Sequence, residues 1–320
     1  MGKKKKGNAE SNTPPFDQHL INHYLANMHK AIEGNEFSSI DEANEFMHNL
    51  LEETDEFPQP VPETPKEIAK DLVYKAFESK GKRRTKLAHD ALKIDPDCTE
   101  AYIFLAEDEA KTPAEAISLY RKAFEAAERT LGAEFLADPD NVGHFWSIWD
   151  TRPYMRAGEA LGEMLWETNA HEEAINLYQK LLRLNPSDNQ GLRYRLIPWL
   201  TIVNKDTEAE KLINEYSNED TSTMEYLKML VAFRRYGNSA RSRRALQKAY
   251  SRNKWAPLYL LGVREVLEYP DSYIPYSEEE GVITTIEIME AWDKTPDITE
   301  WFAMIILEMA LIAAAEPEKD

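Results

Sequence analysis

Cysteine and glycine are both scarce in this sequence. Cys98 is the single cysteine among 320 residues, which excludes an intrachain disulfide and any metal site that needs two cysteines. A lone cysteine also suits a reducing, cytoplasmic compartment. Twelve glycines are few for a β architecture with glycine turns, and no stretch alternates apolar and polar residues as a strand does. We therefore expect an all-α protein.

Motifs of catalysis, targeting and membrane insertion are also missing. The sequence contains no glycine-rich phosphate loop, no His-Glu-x-x-His pattern and no Gly-x-Ser-x-Gly elbow, so we predict no catalytic residue, metal or cofactor. The charged first residues lack the apolar core of a signal peptide. The apolar run at residues 301–315 is too short to span a membrane and contains Glu308, so it predicts a buried terminal helix.

A helix–turn–helix repeat lies between Met155 and Pro186. Small residues in each helix would let two antiparallel helices approach closely, and bulky apolar residues would fill the seam between them. Pro186 cannot continue a helix, so the second helix should end near Asn185. The residues that set this pattern are Leu161, Gly162, Leu165, Ala174, Tyr178 and Leu181.

In these residues and their spacing, the chain resembles the tetratricopeptide (TPR) repeat superfamily over residues 66–262. The resemblance implies a right-handed solenoid of helical hairpins with helical caps at both ends. Its concave face, lined by the first helix of each hairpin, would bind a peptide or a partner protein. The sequence is most similar to a bacterial TPR group with the motifs GHFW, TRPYMRA and LRLNPSDNQG, here at residues 143–146, 151–157 and 182–191. It also resembles the suppressor-of-tumorigenicity TPR family.

Composition divides the chain into five parts. A basic arm that we expect to be disordered is followed by an N-terminal helical cap, a proline-rich acidic linker, the TPR array and an acidic C-terminal helical region. Their predicted bounds are residues 1–15, 16–54, 55–65, 66–262 and 263–320.

The array is interrupted by an insertion at residues 128–151. The equivalent alanines of two repeats, Ala116 and Ala174, are 58 residues apart, whereas one TPR repeat has 34. His144 lies in this insertion with an aspartate nearby, and Arg152 follows it. Such groups perform acid–base chemistry near a phosphate, so an enzyme centred on His144 and Arg152 is a lesser alternative. We favour a structural role in attaching the insertion to the array.

The groove of the array is predicted to be polar. Chaperone-binding TPR domains resemble each other in clamping a C-terminal carboxylate with polar and cationic residues at positions 2, 5, 6 and 9 of their first helices. In the repeat that starts at Met155, positions 5 and 9 are Glu159 and Glu163, so we expect no such clamp. A groove arginine would instead bind a partner carboxylate through paired hydrogen bonds. The residues that we predict for partner binding are Arg152, Tyr154, Arg156, Asn189 and Arg193.

Charge is unevenly distributed along the chain. The net charge is −19, yet residues 228–264 hold ten lysines or arginines and no acid, whereas residues 265–320 hold fifteen acids and two lysines. One interpretation is that the two blocks pair with each other. The other is that the basic block forms a surface that receives an acidic peptide or RNA. Its central residues are Arg234, Arg235, Arg241, Arg243 and Arg244.

These patterns favour a non-enzymatic, cytoplasmic scaffold that binds a protein or peptide in a concave TPR groove. The alternative is an RNA- or ribosome-associated factor that uses residues 228–264 and the lysines at positions 3–6. No membrane partner is expected, and the sequence leaves the oligomeric state open.

Overall fold

The computed structural model describes residues 62–266, 268–270 and 272–315, together with a few positions between 37 and 49. Every regular element in this part of the chain is a helix, so the prediction of an all-α helical repeat is confirmed. The predicted basic arm with its four lysines, and most of the predicted N-terminal cap and acidic linker, lie outside the described residues.

The chain divides into two compact units, Met1–Thr130 and Leu131–Asp320. The helices described in the first unit are α1 (Pro65–Phe77), α2 (Lys82–Ile94), α3 (Thr99–Asp108) and α4 (Pro113–Leu131), the last of which ends at the boundary. Thr64 begins α1 with a capping box: its hydroxyl accepts from the Glu67 amide at 3.2 Å, and its own amide donates to the Glu67 carboxylate at 3.0 Å.

The core of the first unit is built around small residues. Five alanines of one core cluster have no exposed surface, which allows the helix backbones to approach closely. Phe77 and Phe104 close the core edge to face, with ring centroids 4.7 Å apart. Burial raises the pKa of the Cys98 thiol to about 12, so this cysteine stays protonated and unreactive at neutral pH. The five alanines are Ala69, Ala76, Ala88, Ala91 and Ala101.

The second unit contains three consecutive helical hairpins, with short elements before them and three further helices after them. α5 (Ala133–Ala137) and two turns of 3₁₀ helix (Phe145–Ser147 and Trp149–Thr151) precede the hairpins. In each hairpin the two helices are packing neighbours. The hairpins are α6 (Arg152–Glu167) with α7 (His171–Leu184), α8 (Leu192–Ile202) with α9 (Asp206–Glu215), and α10 (Ser222–Tyr236) with α11 (Ala240–Arg252). Three more helices follow them: α12 (Ala256–Leu260), α13 (Glu278–Asp293) and α14 (Ile298–Ala315).

The α6–α7 hairpin has the packing that its sequence pattern predicts. A β-carbon on Gly162 would overlap the ring of Tyr178, which is fully buried, so only glycine fits at this point of α6. The Tyr178 ring also contacts the next hairpin, because its centroid lies 4.6 Å from that of Trp199. Trp166 of α6 stacks on the same Trp199 ring, with the two ring centroids 4.7 Å apart. Aromatic packing thus joins α6, α7 and α8 in one core.

α13 packs across the first helices of the second and third hairpins. It contacts α8 and α10, and it also contacts α12. Gly281 permits this approach, because a β-carbon there would lie 2.9 Å from the Ala256 amide nitrogen and 2.9 Å from Asn253 Oδ1. The consequence is that the face of α8 and α10 that a solenoid usually leaves open is partly covered by the chain itself.

α14 is buried on one face only. Trp301, Phe302 and Ile305 are buried, and the Trp301 ring stacks on Phe233 of α10 at 4.4 Å. The prediction of a buried terminal helix therefore needs correction, because a second apolar face of α14 is exposed: Met304, Leu307, Leu311 and Ile312. No helix among the described residues combines the length and apolar character needed to cross a membrane.

Candidate functional site

A cavity of about 290 Å³ lies in the second unit between α6, α8 and α13. Buried or partly buried side chains form its floor, namely Glu159 from α6, Gln190 from the turn before α8, and Glu287 from α13. More exposed side chains form its rim: Glu163, Arg195, Tyr269 and Tyr273.

The helical period places the two α6 acids together. Glu159 and Glu163 are four residues apart, so they lie on the same face of α6, one turn from each other. Arg195 of α8 faces them and also faces α13. Its guanidinium lies 3.8 Å from the Glu163 carboxylate and 3.3 Å from the Glu287 carboxylate. One arginine is therefore shared between two carboxylates, and a third lies nearby.

Two oxygen atoms at the floor of the cavity have no hydrogen-bond donor among the described residues. The amide nitrogen of Gln190 donates to the Met155 carbonyl at 3.2 Å and to the Glu159 carboxylate, but its Oε1 is buried and unsatisfied. Glu287 Oε2 is also buried without a hydrogen bond, although it forms the ion pair with Arg195. Buried acceptors without donors are uncommon, and each one needs an explanation.

Burial makes the carboxyl groups of the cavity weaker acids than ordinary glutamates. Desolvation raises the pKa of Glu159 to about 7, despite the hydrogen bond from Gln190 that acts against it. Desolvation also raises the pKa of Glu163 and of Glu287, while the positive charge of Arg195 opposes both shifts. The cavity is thus a place where negative charge is held at a cost and where an added positive charge would be favoured.

Arg193, predicted to bind a partner, is engaged within the fold. Asp188 caps α8 by accepting from the amides of Leu192 and Arg193 at 2.8 and 2.9 Å. The Arg193 guanidinium then pairs with Asp188 at 2.8 Å and with Glu219 at 2.5 Å. The same guanidinium also lies over the aromatic rings of Tyr194 and Tyr216. Arg193 therefore joins the turn before α8 to the turn after α9.

The other predicted partner-binding residues differ in how far they are exposed to solvent. Tyr154 has no exposed surface, because its ring packs against Phe145 at 6.0 Å, so its prediction as a groove contact needs correction. Arg152 lies 3.8 Å over the Trp149 ring, yet it keeps part of its surface. Arg156 is also partly exposed, and Asn189 is exposed.

The insertion contains no enclosed catalytic group in the described structure. His144 and Asp150 both have exposed side chains, and the Arg152 side chain donates to the Trp146 carbonyl at 3.1 Å. Thr151 is fully buried, and its hydroxyl donates to the Ile148 carbonyl at 2.7 Å. These contacts attach the insertion to the start of α6.

The predicted basic surface is largely paired with acids. Arg234 binds Asp206 at 2.6 Å. Arg235 and Arg241 share one carboxylate, that of Glu210 on α9. Arg243 binds Glu308 of α14 at 2.7 Å, whereas Arg244 has an exposed side chain. The acidic partners thus come from α9 as well as from the C-terminal region, which the charge pattern did not predict.

The cavity residues were missed at the sequence level, although a signal existed. Glu159 and Glu163 hold positions 5 and 9 of one first helix, and Gln190 and Tyr194 hold positions 2 and 6 of the next repeat. These are the positions that form the carboxylate clamp in chaperone-binding TPR domains, a clamp that this sequence lacks. The two glutamates exclude a carboxylate clamp, and the same acidic side chains are a sequence signal for a site that attracts positive charge.

The described helices define an all-α helical-repeat protein with a polar cavity between α6, α8 and α13. A sequence model of the ST7 protein family matches residues 63–141, which is less than half of the chain. The human suppressor of tumorigenicity 7 protein-like is 20% identical over 231 residues, which cover 66% of this chain and 40% of that protein. The bovine protein of the same name is also 20% identical over 231 residues, covering 66% of this chain and 42% of that protein.

A shorter match is found to human protein O-mannosyl-transferase TMTC1. It is 32% identical over 90 residues, which cover 28% of this chain and 10% of that protein. The chain therefore spans less than half the length of the relatives that it matches. The predicted resemblance to the suppressor-of-tumorigenicity family is confirmed as a partial similarity. These relatives are vertebrate proteins, and the resemblance to a bacterial group stays a prediction.

Proposed function

We propose that the protein is a non-enzymatic scaffold that binds a peptide, or a segment of a partner protein, on the part of the face of α6, α8 and α10 that α13 leaves open. The observation that supports this is the cavity on the first helices, with its unsatisfied acceptors and aromatic rim. Concave faces of helical-repeat proteins are extended binding surfaces. The scarcity of cysteine supports a cytoplasmic site of action.

The proposed binding face extends beyond the cavity along α6. Arg152, Arg156, Glu159 and Glu163 follow one another at intervals of four, three and four residues, so they lie on one side of the helix. Asn189 precedes the cavity residue Gln190 and is exposed. The face thus has a positive end near the start of α6 and a negative end at the cavity, which gives a bound segment a preferred direction.

Site-specific photocrosslinking tests this function. A benzophenone amino acid replaces Tyr273, an exposed residue at the cavity rim, and in a matched control it replaces Asn176, which is exposed on α7. We expect a defined partner to crosslink at position 273 and not at 176, in a lysate of the source cells. Equal crosslinking at both positions, or none at 273, contradicts the proposal.

A further inference from the structure

The floor of the cavity accepts hydrogen bonds but offers few. Gln190 Oε1 is buried without a donor. Glu287 Oε2 is buried without a hydrogen bond, although the Arg195 guanidinium lies 3.3 Å away, and the Glu287 side chain is only 10% exposed. The side-chain amide nitrogen of Gln190 already donates to Met155 and Glu159. A group that binds here must therefore supply N–H or O–H donors, since a second acceptor would leave these oxygens unsatisfied.

The charge balance favours a cation over a neutral donor. Four acids line the cavity. Glu280 pairs with Arg252 at 3.4 Å, whereas Glu159, Glu163 and Glu287 have the positive charge of Arg195 beside them. Its side chain is 47% exposed, and its distances to the two carboxylates are longer than those of a close ion pair. Arg195 therefore neutralises the cavity only in part, and burial of the remaining negative charge favours a positive guest.

The walls suit a side chain that has an apolar stem. Tyr194, Tyr269 and Tyr273 provide ring surfaces, and Leu192 and Ile283 provide aliphatic contact. Aromatic faces attract cations, and they also pack against methylene groups. The volume of about 290 Å³ is at the lower end of the range for small-molecule pockets, so it suits one long side chain. Among the described residues, no group of three or more histidines, cysteines and acids has the arrangement of a metal site.

We infer that the cavity receives a lysine or arginine side chain of the bound partner. This inference rests on the proposed scaffold function and deepens it, because it names the chemistry that anchors the partner. Glu159, Glu287 and Gln190 Oε1 accept from the ammonium or guanidinium group, and the tyrosines enclose its stem. The site thus selects a positively charged group, whereas a clamp for a C-terminal carboxylate selects a negatively charged one.

A peptide array with the purified full-length protein tests the inference. Nonamers of randomised flanks carry lysine, arginine, norleucine or citrulline at the central position. Norleucine is lysine without its ammonium group, and citrulline replaces the arginine guanidinium by an uncharged ureido group of similar shape. We expect at least tenfold stronger binding to the lysine or arginine series, and the stronger of these two identifies the preferred cation.

Two variants assign the preference to the cavity. In the Glu159→Gln/Glu287→Gln double variant the side-chain shapes are conserved and the charges are removed, so we expect the basic preference to fall at least tenfold. Glu290→Gln is the matched control, since Glu290 lies on the same helix, is 56% exposed at its side chain and pairs with Lys294 outside the cavity. Circular dichroism verifies that all variants are folded.

The outcomes separate the inference from the function on which it rests. Equal binding of basic and neutral series, or a basic preference that survives in the double variant, overturns the inference. If position 273 still crosslinks a partner, the scaffold function then stands without it. If no peptide series binds, the inference is also overturned, and the crosslinking result alone decides the scaffold function.

Discussion

The Tyr178 ring occupies the space that a side chain at position 162 would need. Gly162 of α6 faces it directly, and a β-carbon there would overlap the ring. Tyr178 is fully buried between α6 and Trp199 of α8, so it has little room to move aside. The close packing of α6 on α7 therefore depends on the absence of a β-carbon at position 162. The packing of the next hairpin depends on it too, through the contact of Tyr178 with Trp199.

Replacing Gly162 by alanine should destabilise the second unit. Overpacking of a tight core costs about 1–3 kcal/mol, and alanine returns up to about 1 kcal/mol through its higher helix propensity. We expect a net loss of about 1–2 kcal/mol in the free energy of unfolding, measured by urea denaturation. The Gly162→Ala/Tyr178→Leu double variant tests the cause. Its two effects should be non-additive, because the smaller side chain relieves the overlap. Additive effects would show that Tyr178 is not the obstacle.

This hairpin was predictable because its determinants are local. Leu161, Gly162 and Tyr178 follow the repeat period, and each lies where the pattern requires a small or a bulky residue. Pro186 likewise follows the end of α7 at Leu184 by two residues. Periodicity reports which residues face a neighbouring helix, and the neighbour here comes next in the chain.

The candidate cavity was not predictable in the same way. It depends on α13, which follows a segment without clear periodicity and packs on helices far from it in sequence. Glu287 therefore meets Arg195 through tertiary packing that no repeat pattern encodes. The ion pairs of Arg193 were equally unpredictable. The sequence identifies Arg193 as a charged groove position, but it does not identify Asp188 and Glu219 as the acids that bind it.

The raised pKa of Glu159 should make stability depend on pH. The folded state retains the Glu159 proton up to about pH 7, whereas the ordinary glutamate value is 4.5. The native state then binds more protons between these values, so the free energy of unfolding falls as the pH rises through this window. Glu159→Gln removes that cost. We expect the variant to be about 1–3 kcal/mol more stable than the parent at about pH 8, and equally stable near pH 4.5.

Denaturant unfolding at several pH values measures this effect. Some slope should remain in the variant, because Glu163, Glu287 and Asp188 also have raised pKa values and face the same region with Arg195. Glu290→Gln on α13 is the control and should leave the curve unchanged. A variant that loses stability above pH 7 would show that the Glu159 charge is stabilising, in conflict with its burial.

Glu225 should be important for the stability of the third hairpin. It is 1% exposed, and Lys228 and Lys248 bind the same oxygen at 2.8 and 2.9 Å. Glu225→Gln leaves the partly buried Lys228 without a counter-charge, which should cost roughly 2–4 kcal/mol in the free energy of unfolding. Lys248→Met is the comparison, and it should cost less than about 1 kcal/mol because the Lys248 side chain is 61% exposed. Equal costs for the two variants would mean that burial does not determine the strength of this network.

RNA binding provides a test of the alternative function. Because Glu210 neutralises Arg235 and Arg241, and Glu308 binds Arg243, we expect the native protein to bind RNA weakly. The Glu210→Gln/Glu308→Gln variant frees these arginines. Its RNA affinity should rise severalfold at about 50 mM salt and return to the native level at about 200 mM. Fluorescence anisotropy with a labelled single-stranded RNA measures both.

A second pair of variants distinguishes the basic block from the N-terminal lysines. If native RNA binding is tight and depends steeply on salt, charge reversal at Arg241, Arg243 and Arg244 should abolish it under the alternative hypothesis. Replacing the lysines at positions 3–6 by serine tests the arm separately. Loss of binding in the first variant alone would mean that the ion pairs with Glu210 and Glu308 open to admit a phosphate backbone. The basic block would then be the functional surface, and the cavity on the first helices would need another explanation.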